Sequence, residues 1–410
     1  MTSRRAVAVG VVLTVAAAIA VGILVPAIEG GPGISDTGVY QRYGERMAAG
    51  DVPYRDFAVE YPPAALIPFV VPALLTSSRS AYDRDFRALM VAALALTAAL
   101  IVLSLQALGA SGSRTAGAVA AFLAGFAALG PFVLTRFDLL AGAMTLAALC
   151  ALLHGRDRLG AALLGAAIAT KIYPAVLLPL LVTRRWRSAG RRAALCDLAI
   201  TVGVAIAIYL PFLVLAPEGV VRSVWRQLGR PLQIESLGSA FLLALRHAAG
   251  MPLDWASGSG SQNLTGAVST IASGVTTIVG IGALLFVWMR YARGDVVSRA
   301  RLARYSAAAI VAFVAFGKVL SPQFLVWLIA VVVLVAGVRG AVATTLLLVA
   351  CLLTRAWFPN RYWDLVKQFD PTASWLVLVR DLVLVAVFAT LVVRIRAREP
   401  APVESSSPVH

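Results

Sequence analysis

Charge is what this chain has least of. Only 14% of its 410 residues are charged and 60% are hydrophobic, whereas a soluble domain carries roughly a quarter charged residues. Cysteine is nearly as scarce. Cys150, Cys196 and Cys351 stand alone in or beside apolar runs. With no CxxC pair and no zinc-ligand spacing, they read as small core residues. His154, His247 and His410 form no metal pattern either. There is no P-loop, and no Gly-x-Gly-x-x-Gly placed after a strand, so nothing argues for an ATP motor or a nucleotide-sugar fold. Asp83-Arg84-Asp85 has the look of a metal–nucleotide motif but falls in a short loop on the expected cytoplasmic side. Lysine is the last absence. Lys171, Lys318 and Lys367 are the only three, and the arginine bias reads as the mark of a GC-rich genome, so each remaining lysine is worth following.

What is present is long apolar sequence. Polar residues gather in short clusters between apolar runs of about 15–25 residues, and a run near 20 is what a helix needs to cross the hydrocarbon core. Backbone polar groups in lipid must be satisfied within the segment, so these runs are expected to be helices. The short alternating strands of a membrane barrel are absent. The expected spans are 6–28, 63–76, 88–109, 116–134, 138–153, 159–182, 194–216, 264–289, 304–317, 322–337, 340–354 and 374–393. The first follows Arg4 and Arg5 and outruns a signal peptide's apolar region of about 7–15 residues. It is therefore read as a membrane helix rather than a cleaved leader.

The net charge of +16 fits anchoring beside membrane spans better than nucleic-acid binding. The strongest anchors are Arg184, Arg185, Arg187, Arg191 and Arg192, then Arg290, Arg293, Arg299, Arg301 and Arg304. Both clusters fall inside the cell when the spans alternate from a cytoplasmic N-terminus. The expectation is one all-α transmembrane domain over 1–393 of about twelve helices, with both termini cytoplasmic. Its outer loops are 29–62, 217–263 and 355–373, and a disordered cytoplasmic tail follows at 394–410. Ser257-Gly258-Ser259-Gly260-Ser261 reads as a flexible piece.

Long loops tend to carry function, and the first outer loop is chemically distinctive. It holds Glu29, Asp36, Glu45, Asp51, Asp56 and Glu60, six of the chain's twenty acids. Tyr40, Tyr43 and Met47 stand at helical spacing, which predicts a short amphipathic helix on the membrane surface. Asp36 falls at its start, where a carboxylate caps free N–H groups; that is its bland reading. Glu60-Tyr61-Pro62-Pro63 ends the loop, and proline is at home in the first turn of the following helix. Lys171 lies within an expected span, where a charge costs at least about 2.5–3.5 kcal/mol and needs a partner or a polar cavity. Lys318 precedes Leu320-Ser321-Pro322-Gln323-Phe324, and the helix break there is tolerated where it lines a cavity. The segment from Arg355 through Arg361 to Asp364 mixes arginines with Trp357, Phe358, Tyr362 and Trp363. It is either an interfacial aromatic belt or a grip on a phosphate or sugar ring.

These pieces, taken in order, resemble glycosyltransferase family 87. Asp36-Thr37-Gly38-Val39-Tyr40, Gly50-Asp51-Val52-Pro53-Tyr54-Arg55-Asp56-Phe57 and Glu60-Tyr61-Pro62-Pro63 look like its first-loop signature. Lys171-Ile172-Tyr173-Pro174 and Lys318-Val319-Leu320-Ser321-Pro322-Gln323-Phe324 look like its later motifs. The resemblance runs from Asp36 to about Asp364. The family's members are membrane enzymes of the GT-C class, similar to actinobacterial polyprenyl-phosphate-mannose-dependent α-1,2-mannosyltransferases. It implies a bundle whose first and fourth outer loops cover a cavity at the outer face. It also implies a sugar donor on a polyprenyl monophosphate, a glycolipid or glycan acceptor, no cofactor or metal, and Asp36 as catalytic base.

The residues suit that chemistry. A hydroxyl becomes a competent nucleophile when a positioned carboxylate takes its proton, and cationic side chains stabilise a departing lipid phosphate. Lys318, Arg361, Arg355 and Lys171 are the phosphate candidates. Glu60, Tyr61, Glu235 and Gln323 are candidates for sugar or acceptor binding. One carboxylate with direct displacement inverts the anomeric centre. A lipid or glycan transporter, a non-catalytic scaffold, and a GT-C enzyme using another lipid-linked sugar such as arabinose stay open as rivals.

Overall fold

The computed structural model describes residues 2–29 and 33–393. The tail 394–410, expected to be disordered, lies outside them. Almost everything described is helix. In chain order the helices are α1 (Thr2–Glu29), α2 (Thr37–Ala48), α3 (Ile67–Leu75), α4 (Arg79–Ala107), α5 (Gly112–Leu129), α6 (Asp138–Leu153), α7 (Asp157–Thr170) and α8 (Leu178–Leu215). They continue with α9 (Pro217–Leu228), α10 (Leu237–Ala249), α11 (Ala267–Ala292), α12 (Arg299–Ala315), α13 (Leu325–Val332), α14 (Gly337–Trp357), α15 (Tyr362–Gln368) and α16 (Pro371–Val392). Short 3-10 turns precede α3, α6, α8 and α13, three of them opening on a proline and the fourth on Tyr173-Pro174. A proline there removes no helical hydrogen bond and presets φ.

Among the described residues seven helical stretches are long and apolar enough to cross a bilayer: α1, α4, α5, the stretch Tyr173–Leu215, whose backbone breaks at Gly190 (φ 82°), α11, α14 and α16. The remaining expected spans fall on shorter or interrupted elements. Of these, α6, α12 and α13 are buried almost all round and form the centre of the bundle. By contrast α1, α8 and α11 leave Leu13, Ile206, Leu210, Ile271 and Ile278 exposed. Apolar faces of this kind are what hydrocarbon covers. The amphipathic helix expected around Tyr40 is α2, whose tyrosine ring stacks on Phe69 at 4.1 Å.

Hydrogen bonds and ion pairs fix which chain turns share a face, and they revise the expected path between residues 63 and 182. The run 63–76 does not carry the chain to the far side. Its last residues return to α2: the Ser77 carbonyl accepts from Gln41, and Arg79 donates to Gln41 and, at 2.7 Å, to Thr37. A 9-residue α3 is only about 14 Å long at 1.5 Å per residue. The run 159–182, in turn, is two elements. The chain becomes extended at Lys171 (φ −158°), and α8 runs back along α7 until Arg184 and Arg185 pair with Asp157 at the start of α7.

One crossing is thereby removed and another divided. The parity from residue 183 onward survives, but four turns exchange sides. Residues 77–87 and 135–137 join the face of α2, as the Arg79 bonds and an Arg136–Asp36 ion pair show. Residues 110–115 and 154–158 join the opposite face. There Arg299 donates to the Ala107 carbonyl at 3.2 Å, and Arg114 caps the end of α13 through the Val335 carbonyl at 2.7 Å. Apolar periodicity shows where helices lie, but not whether a short one returns.

A second correction concerns Ser257–Ser261. It is the tip of an antiparallel hairpin, Asp254–Gly258 paired with Ser261–Thr265. Ser259 and Gly260 both take positive φ, 52° and 68°, as the tightest hairpin turns require.

Candidate active site

The turns on the face of α2 enclose a cavity of about 670 Å³. Its lining comes from every region that the motifs marked, and from several that they did not.

Asp36 enters from the start of α2. It occupies the N-cap position, yet its side chain makes no capping bond; the Thr37 amide is bound by the Ser35 hydroxyl at 3.2 Å instead. The Asp36 carboxylate turns into the cavity, where it pairs with Arg136 and accepts a long bond of 3.4 Å from the Tyr40 hydroxyl. Arg136 is held by its own local structure. Gly130 ends α5 at φ 91°, a 3-10 turn Pro131–Thr135 follows, and the Thr135 hydroxyl closes it on the Phe132 carbonyl at 2.7 Å. The guanidinium is buried, so the ion pair is largely withdrawn from water.

Asp138, two residues on, opens α6 and pairs with Lys171 at 2.6 Å. Lys171 is therefore not a stray charge deep in one span. It stands at the apex where α7 breaks, facing the cavity. Three rings surround its ammonium: Phe137 at 4.7 Å, Phe324 at 5.0 Å and Trp327 at 4.6 Å. Ring faces attract a cation, and Trp327 is fixed between Tyr173 and Phe324 by stacking at 3.9 and 4.1 Å.

Glu60 and Tyr61 line the cavity from the extended chain before Pro62. The Glu60 carbonyl accepts from Gln227 of α9 at 2.8 Å, and the Tyr61 carbonyl from the Tyr54 hydroxyl at 2.6 Å. A Cβ at Gly260, at the hairpin tip, would lie 2.6 Å from Glu60 Oε2. The tip thus sits directly over that carboxylate.

Glu235 is in the loop between α9 and α10 and is almost fully buried. Its side chain accepts from Gln233, its carbonyl accepts from Arg380 of α16 at 2.8 Å, and Oε1 has no partner among the described residues. Burial pushes its carboxyl up to about 7, against an opposing pull from the Arg380 charge. Gln233 also binds Ser321 at 3.0 Å, linking this loop to the Ser-Pro break before α13. Lys318 and Gln323 line the cavity from that break.

Of the residues singled out in the sequence, Asp36, Glu60, Tyr61, Lys171, Glu235, Lys318 and Gln323 meet in this cavity. Arg355 and Arg361 do not line it: Arg355 is in the last turn of α14, and Arg361 is an exposed residue facing Asp370 at 3.7 Å. Sequence reasoning missed Arg136, Asp138 and Arg230. Arg136 looked like part of an inner turn at 135–137, and Asp138 like the first residue of the span after it. A signal was present, since Arg-x-Asp is an unusual content for so short a gap. Arg230 was one arginine of a long loop and had no local mark. Among the described residues no three of His, Cys, Asp and Glu come together as a metal site.

Comparison with known proteins gives three results. No curated protein matches the chain significantly. Among solved structures, the chain is similar to ArnT from Cupriavidus metallidurans, a crystal structure bound to undecaprenyl phosphate. Identity is 17%, the match covers 93% of this chain and 76% of that one, and the TM-score is 0.49. The model of glycosyltransferase family 87 matches residues 59–322, a stretch that holds Glu60, Arg136, Asp138, Lys171, Arg230, Glu235 and Lys318 and starts after Asp36. With that match over more than half its length, and with a helical, membrane-type architecture around a charged cavity, the chain belongs to glycosyltransferase family 87 and is a membrane glycosyltransferase.

Proposed function

We propose that this enzyme transfers a sugar, mannose foremost, from a polyprenyl-phosphate donor to a hydroxyl of a glycolipid or glycan, with inversion and with Asp36 as general base. The observation that carries the reading is the posture of Asp36. A carboxylate at a helix start is expected to cap it, and this one leaves the cap to Ser35 and points into the cavity.

In this reading the acceptor hydroxyl lies against Asp36. Its oxygen forms a bond to the anomeric carbon as its proton passes to the carboxylate. The bond from the anomeric carbon to the phosphate oxygen breaks, and the electron pair leaves with the lipid phosphate. Arg136 holds the carboxylate in place, and Lys318 sits where a cation favours the departing phosphate. The aromatic wall around Lys171 offers ring faces for a sugar. Lipid access fits α8 and α11, whose apolar outer faces are exposed and whose residues Tyr209, Ile281 and Leu284 also line the cavity. The arginine clusters at 184–192 and 290–304 lie on the face opposite the cavity. By the positive-inside rule that face is read as cytoplasmic, which supports a site at the outer side.

The test uses purified enzyme in lipid, radiolabelled polyprenyl-phosphate-mannose and a glycolipid extract as acceptor. Wild type should transfer label, and Asp36→Asn should lose about 10²–10⁴-fold, the usual contribution of a general base. Transfer by Asp36→Asn near the wild-type rate removes Asp36 from that role.

A further inference from the structure

The cavity's charges do not all find partners. Arg136 is matched to Asp36, and Lys171 to Asp138. Two cations remain. Lys318 makes no ion pair among the described residues; its ammonium donates to the Leu228 carbonyl at 3.0 Å. Arg230 makes none either, and its Nε is buried without a hydrogen-bond partner. Glu60 and Glu235 are felt by Arg230 across the cavity, but neither reaches it as an ion pair.

The two cations are held near each other by backbone rather than by attraction. Lys318 binds the last carbonyl of α9, two residues before Arg230, and its own carbonyl accepts from the Gln233 amide at 3.0 Å. Arg230 lies between these two ties. Each cation is pulled below its ordinary range by burial, and the charge of Arg230 lowers Lys318 further. Like charges brought together at the wall of a cavity are a cost that a bound anion relieves. The bland alternative for Lys318 is a cap on the C-terminal carbonyls of α9; it accounts for Lys318 but not for Arg230.

Resting on the reading above, we infer that Arg230 and Lys318 together form the seat of the donor's phosphate, and that the pair is matched to the leaving group rather than to the donor. The chemistry gives the reason. A sugar–phosphate–lipid is a phosphodiester with one negative charge. When the bond to the anomeric carbon breaks, the electron pair stays on oxygen and the lipid monoester carries up to two. A second cation therefore contributes most after the bond has begun to break, which is the condition for accelerating the step.

The experiment measures binding to full-length protein in nanodiscs, with no sugar transfer involved. Four probes are compared: farnesyl phosphate (a monoester), its methyl diester, farnesol, and inorganic phosphate. Wild type should prefer monoester to diester. Arg230→Gln should weaken the monoester by about tenfold or more, the scale of one charge-assisted bond, and the diester less. Lys318→Gln should weaken both. Arg361→Gln, which lies off the cavity, should stay within about twofold. Inorganic phosphate binding as tightly as farnesyl phosphate would mark the seat as one for soluble phosphate rather than a lipid. If Arg230→Gln unfolds the protein, Arg230→Lys keeps the charge and should preserve the monoester preference.

Equal loss of monoester and diester, or no loss at all, overturns the inference while leaving transfer through Asp36 untouched. The expected pattern in a protein that transfers no mannose leaves the phosphate seat standing and removes the donor sugar.

Discussion

At the scale of single residues, the site depends on pairs whose members are far apart in sequence. Arg136 is buried and its partner Asp36 is 29% exposed. Removing Arg136 strands a carboxylate that is still partly solvated, a cost below the roughly 3–5 kcal/mol of a fully buried pair. Arg136→Leu should therefore lower the melting temperature and abolish transfer. The double variant Arg136→Leu with Asp36→Leu should regain stability without activity, as thermal melts beside the labelled assay would show. Glu235 gives a pH prediction. Its carboxyl is pushed from 4.5 to about 7 in the folded protein, so the folded state holds a proton that the unfolded chain has released. Its stabilising contribution is complete below about 4.5 and is lost as pH rises through about 7. Wild-type melting temperature should fall between pH 5 and 8 by more than that of Glu235→Gln; identical profiles would refute this. Residue legibility divided along the same line. Lys171 and Lys318 stood out because charge is rare in apolar surroundings, and Asp36 and Glu60 because they stand in an acid-rich loop. Arg136 and Asp138, the partners of Asp36 and Lys171, did not, because an ion pair between separate elements leaves no trace in spacing.

At the scale of elements, α2 and α3 act as one unit that delivers Asp36. Gly44 is where they touch: a Cβ there would lie 2.2 Å from the Phe69 carbonyl oxygen and 2.8 Å from Ala73 Cβ. Backbone cannot retreat as a flexible side chain does, and overpacking of this kind costs about 1–3 kcal/mol. Gly44→Ala should lower both melting temperature and transfer rate, because α2 must lift and carry Asp36 away from Arg136. Gly274→Ala in α11 meets nothing within 4 Å and should change neither. A Gly44→Ala protein with wild-type transfer would show that α2 position is not critical. The amphipathic spacing of Tyr40, Tyr43 and Met47 made α2 readable. The break at Lys171 was harder to see. Pro174 marks it, but proline within an apolar run also occurs inside helices that continue past it, as Pro211 does inside α8.

At the scale of the whole molecule, the helical membrane class was legible from composition alone, while the path through it was not. Removing the crossing at 63–76 and dividing 159–182 are compensating changes, so an alternating count of charged loops satisfies the positive-inside rule along either path. Impermeant thiol labelling separates them in a background without Cys150, Cys196 and Cys351. Ser80→Cys should label from the same side as Ser259→Cys, and Ser113→Cys from the opposite side; the reverse for Ser80 would restore the sequence-derived path. The Asp36–Arg136 pair has a further consequence, in time rather than space. Chains grow at about 5–20 residues per second, so Asp36 is made on the order of 5–20 s before its arginine. Lys318 and Trp327 follow roughly 200 residues later still at the same rate. Throughout that interval the carboxylate has no partner and α2 has no finished wall to close against. A half-made chain therefore holds its site in pieces, and the enzyme becomes able to act only when nearly all of it has left the ribosome.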